Sequence, residues 1–229
     1  MTFAVTRTEV GPDAISRRGV IHIRAESQSI LTHMFVRLQE FYESPTDSIR
    51  GHYFTLDQLA AVYVPCHGCD RGTGKFTYYT DWHGYNIPGA VIARFAELFP
   101  DKTADEQMLI DLAAEYDWCY LIGSHEGGNP DEDALDHELV HATYFLDDDY
   151  RIAVNRQLEM LRTDVPIIYN ALAALLKHWG YCEDVLLDEM NAYLATTDEA
   201  WWARKTGDGL FARALWNEGQ AFKSLARIY

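Results

Sequence analysis

The chain has 229 residues, 48% hydrophobic and 24% charged, a balance that excludes disordered and fibrous classes and allows a sizeable buried core. Asp and Glu outnumber Lys and Arg 35 to 19, and the net charge of -16 argues against nucleic acid and anionic membrane surfaces as partners. Four cysteines, Cys66, Cys69, Cys119 and Cys182, are too few and too unevenly spaced for a disulfide framework, so reduced thiols are expected.

Met1 to Val10 lacks the positive leader and apolar run of a secretory signal, which makes the cytoplasm the expected location. No uncharged apolar run approaches the roughly 20 residues of a membrane-spanning helix. Val20 to Arg24 reads as a strand, and Ile30 to Tyr42 carries apolar residues at helical spacing. Thr55 is placed to cap a helix over Thr55 to Val64. Phe76 to Thr80 reads as a second strand. Pro88 opens a helix ending at Phe99 before Pro100, and Thr103 caps another running through Met108, Ile110, Leu112 and Ala113.

Trp118 to Ile122 then reads as a buried strand, followed by a turn-rich loop from Gly123 to Pro130 and an acidic helix start at Asp131 to Asp133. Further helices are expected over Tyr150 to Leu161, Val165 to His178, Glu183 to Ala195 and Leu210 to Ile228, with breaks at Gly180 and Gly207. The predicted fold is α+β and predominantly helical: a small, mostly N-terminal sheet and a C-terminal helical bundle. One domain over 1–229 is expected, with a subdivision near residue 125 left open.

The chemistry is concentrated in His137-Glu138-Leu139-Val140-His141. Residues four apart share one face of a helix, so His137 and His141 can offer two imidazole nitrogens to one metal ion. Glu138 can take a proton from water activated by that ion and pass it to a leaving amine. Leu135, Leu139, Ala142 and Phe145 are expected to pack the rest of the helix into a core. Catalytic zinc usually takes three protein ligands, so a third is sought downstream. A solvated helix face bearing two histidines is the competing reading.

The motif resembles the active-site helix of the zincin metallopeptidases. Metzincins continue with glycine and a third histidine at the positions that hold Tyr144 and Asp147 here, so that branch is not expected. Gluzincins take their third ligand from a glutamate on a later helix, and Asp188-Glu189-Met190-Asn191-Ala192-Tyr193 is the best such segment. The resemblance implies Zn2+ held by His137, His141 and Glu189, Glu138 as general base, and a peptide or protein substrate. Asp147 ranks second as third ligand, and Glu183 is a further competitor. Tyr193 and His125 are candidates to stabilise the oxyanion, whereas His178 fits a helix-terminal cation.

Other features carry less. Cys66-His67-Gly68-Cys69 is half a structural zinc site without its partner pair. Gly72-Thr73-Gly74-Lys75 lacks the spacing and hydroxyl residue of a phosphate loop. Tyr78-Tyr79, Trp82-His83-Gly84-Tyr85 and Trp201-Trp202 suit core packing better than a substrate groove. Two other function classes stay open. A non-catalytic interaction module would have a structural metal or none. A carboxylate-bridged di-iron protein would need a second Glu-x-x-His, which the sequence lacks.

Overall fold

In the computed structural model, described over residues 3–9, 17–65, 74–127 and 134–226, the chain forms two compact units, Met1–Gly128 and Asn129–Tyr229. Together they make an α+β protein that is mostly helical.

The first unit holds a four-stranded sheet in the order β1-β2-β4-β3. β1 (Phe3–Glu9) runs antiparallel to β2 (Arg18–Ala25), β2 runs parallel to β4 (Trp118–His125), and β3 (Tyr85–Pro88) lies antiparallel to β4. Strand alternation sends Ile21, Ile23 and Ala25 of β2 and Cys119 and Leu121 of β4 into one core. Over that face lies α1 (Gln28–Glu43), capped by Ser27, whose side chain accepts from Ile30 N. Gly123 allows the close approach: a Cβ there would stand 2.9 Å from Leu31 and 3.0 Å from Phe35. Thr55 and Thr103 cap α2 (Leu56–Tyr63) and α5 (Ala104–Ala113) with complete capping boxes, and α4 (Gly89–Leu98) follows β3. Buried Arg37 ties α1 to α5 through Glu106, with Nε donating to Oε1 at 2.7 Å.

Three expectations need correction here. Phe76 to Thr80 is no strand; a helical turn, α3 (Tyr78–Asp81), takes its place. The Thr77 and Tyr63 hydroxyls both donate to Asp81 Oδ2, closing the turn while Tyr78 is buried among Phe76 and Tyr63. β4 continues through His125, three residues past its expected end, because it pairs with β2 as far as Ala25. β1 and β3 are strands that the apolar pattern did not mark: β1 buries little along its length, and β3 is short and ends in Pro88.

The second unit contains six described helices: α6 (Ala134–Leu146), α7 (Asp148–Asp164), α8 (Pro166–Trp179), α9 (Leu186–Thr196), α10 (Glu199–Thr206) and α11 (Gly209–Leu225). Gly180 and Gly207 end α8 and α10 at φ 105° and 67°, values that glycine adopts without strain. α10 falls where no helix was expected. α9 is preceded by a 3-10 turn at Glu183–Val185, so the α-helix proper starts later than Glu183.

Val140, Val154, Leu172, Leu176, Met190 and Trp202 belong to the core of this unit. On α6 the buried apolar residues are Val140, Ala142 and Leu146, while Leu135, Leu139 and Phe145, expected in the core, are half-buried. The helix turns Glu138 and His141 inward, and its apolar stripe is rotated accordingly. α11 crosses α9 at Gly219, where a Cβ would meet Leu194 O at 2.5 Å. Among the described residues, no helix is long and apolar enough to cross a membrane.

Candidate metal centre

His137 and His141 sit one turn apart on α6, with their Nε2 atoms 3.1 Å from each other. α9 packs against α6 and presents Glu189, whose Oε1 lies 3.6 Å from His141 Nε2 and Oε2 3.7 Å from His137 Nε2. Two nitrogens about 2.05 Å from one tetrahedral ion stand roughly 3.3 Å apart, so this triangle of donors fits a single small cation. Glu189 is only 2% exposed, and its Oε2 is buried with no hydrogen-bond partner, an arrangement that is costly unless a cation compensates it. His137, His141 and Glu189 can therefore hold a metal ion; they are the only such group among the described residues.

α9 also supplies Asp188, whose Oδ2 lies 2.9 Å from His141 Nδ1. A carboxylate behind a ligating histidine keeps the proton on Nδ1 and turns the Nε2 lone pair toward the metal. The sequence reading passed over Asp188 because its role depends on how α9 is rotated against α6.

The electrostatics of the pocket call for positive charge. Among the described residues, Asp188 and Glu189 form ion pairs with imidazoles and with no Lys or Arg. Burial raises Asp188, and it pushes Glu189 up to about 7 although His141 opposes the shift. Burial and the charge of His141 hold His137 down at about 4. Burial would lower His141 too, but the carboxylates of Asp188, Glu189 and Glu138 outweigh it and raise its pKa well above the ordinary value. The two Nε2 atoms stand within hydrogen-bond distance, so a proton carried by one ring lies between them. A metal ion would replace that proton.

Glu138 is 6% exposed, and its negative charge acts on both histidines. No family model, curated protein or solved structure matches the chain.

The remaining candidates lie as follows. The Tyr193 ring packs edge-on to His137 at 4.6 Å, and its hydroxyl is engaged with that of Tyr181 at 3.0 Å. Tyr181 in turn hydrogen-bonds the Glu189 side chain. Asp147 lies just past the end of α6 and caps α7 by accepting from Tyr150 N, so its carboxylate is used locally. Glu183 is exposed and pairs with Lys177. His178 lies in the last turn of α8. His125 belongs to the first unit, at the end of β4, where its ring meets His83. Trp202 is fully buried and Trp201 partly so, both packed around Trp179. Cys66-His67-Gly68-Cys69, Gly72 and Thr73, and the acidic start Asp131 to Asp133 lie outside the described residues.

Proposed function

We propose that the protein is a zinc-dependent hydrolase of the gluzincin kind, acting on peptide bonds. The observation that carries this reading is the convergence of two Nε2 atoms 3.1 Å apart on the buried carboxylate of Glu189, with Glu138 between the two histidines on the same helix. Two imidazoles and one carboxylate are a usual donor set for catalytic zinc. When bound, the ion supplies Lewis acidity and makes water a nucleophile near neutral pH.

The protein residues do the rest. His137, His141 and Glu189 bind, and Asp188 orients His141. Glu138 accepts a proton from the attacking water at its carboxylate and returns it to the departing nitrogen, which completes amide hydrolysis without a net proton change. Burial of Glu138 keeps bulk water out of that exchange.

The test is Glu138→Gln. Zinc content by mass spectrometry should match the wild type, while cleavage of a mixed-sequence peptide pool should slow by about 10²–10⁴-fold. Undiminished cleavage by the variant would sink the mechanism, and a wild-type chain that takes up no zinc would sink the metal assignment itself.

A further inference from the structure

Thr196, the last residue of α9, lies seven residues beyond Glu189 and so returns to the same face of the helix. Its Oγ1 is 2.7 Å from Ala192 O and 3.4 Å from His137 Nδ1. A hydroxyl has one hydrogen, and a carbonyl oxygen can only accept, so that hydrogen goes to Ala192. Toward His137, Oγ1 can then only accept, and the partner must be Nδ1–H. The opposite tautomer would set two lone pairs against each other at Nδ1 and turn an N–H toward Glu189, where a ligand must be bare.

We infer that Thr196 is a positioning residue of the metal centre: it holds the His137 ring and keeps its proton on Nδ1, leaving Nε2 for a divalent transition metal. α9 thereby provides one ligand and a support for each histidine ligand, Asp188 behind His141 and Thr196 behind His137. Back-bonding to a carbonyl four residues earlier is not special in itself, since Thr143, Thr163 and Thr206 do the same with Leu139, Glu159 and Trp202. Thr196 differs in that a lone pair of its hydroxyl faces a ring nitrogen.

The inference rests on His137 being a ligand, and the experiment separates the two claims. Zinc affinity is measured by chelator competition on wild type, Thr196→Val, Thr196→Ser and, as a control for loss of a back-bonded hydroxyl, Thr206→Val. In the zinc-loaded chains, solvent exchange of the His137 Nδ1 proton is followed by NMR with labelled histidine. Thr196→Val should weaken zinc binding about tenfold, at the low end for outer partners of metal ligands, and should speed exchange of the Nδ1 proton. Thr196→Ser should restore both, and Thr206→Val should leave both unchanged. Wild-type affinity and slow exchange in Thr196→Val would overturn the role of Thr196 alone, as would equal losses in Thr206→Val. No zinc uptake by the wild type would overturn both claims.

Discussion

Among the described residues, two histidine pairs stand at nearly equal distance, and only one has the makings of a metal site. His137 and His141 approach to 3.1 Å on one helix, and His83 and His125 to 3.2 Å in the first unit. In the latter pair, His125 Nδ1 donates to Glu126 O at 2.9 Å, which leaves its Nε2 to accept from His83 Nδ1–H and completes a hydrogen bond between the rings. Among the described residues, no third donor stands near enough to both rings to share an ion with them. The α6 pair instead faces the carboxylates of Glu138, Asp188 and Glu189. Spacing brings two nitrogens together, but the charge around them decides whether the gap calls for a cation.

The sharpest break of that comparison is His141→Ala, which removes a ligand and the partner of Asp188 together. Zinc affinity measured by chelator competition should fall by more than about a hundredfold, beyond what loss of an outer partner causes. Retention of tight zinc would mean that His141 is not a ligand.

A second contrast concerns buried carboxyl groups. Burial pushes both Glu40 on α1 and Glu189 up to about 7, but Glu189 stands beside two imidazoles, whereas at Glu40 the Ser44 side chain opposes the shift. For Glu40 the folded state keeps its proton to higher pH than the unfolded chain does, so its contribution falls as pH rises from about 4.5 to 7. The loss amounts to at most about 3 kcal/mol. Glu40→Gln should therefore be more stable than wild type at pH 8 and nearly equal at pH 4, read from denaturant midpoints. A parallel pH dependence in the two chains would contradict the buried, raised carboxyl.

The smallest effect is expected at the other pair. His83→Ala removes one hydrogen bond, costs about 1 kcal/mol or less, and leaves zinc per chain unchanged. A drop in zinc content would show that the first unit also binds the ion.

The central residues of the candidate site were legible because their geometry is local. A spacing of four brings His137 and His141 to one helix face, and the apolar residues of α9 allow Glu189 to be placed on an amphipathic helix. Asp188 and Thr196 were not legible, since what they touch depends on the rotation of α9 against α6, which no single-helix pattern records. In the fold, capped helices such as α2 and α5 could be read from Thr55 and Thr103, whose signals are also local. β3 could not, because it owes its strand geometry to pairing with β4, a segment more than thirty residues away in the chain. The aromatic, β-favouring run at Phe76 to Thr80 was misread for the same reason: Asp81, just beyond it, binds Tyr63 and Thr77 and closes a turn.

Gly219 gives the helical unit an unusual relation between stability and function. Replacing a mid-helix glycine by alanine ordinarily stabilises by about 1 kcal/mol, and it is a common choice in stabilising a protein. Here the added methyl would press on the Leu194 carbonyl, two residues before Thr196 and within the helix that carries Asp188 and Glu189. The missing methyl acts as a spacer: it sets how far α9 can advance, and a substitution made for toughness there would shift three side chains of the candidate site at once.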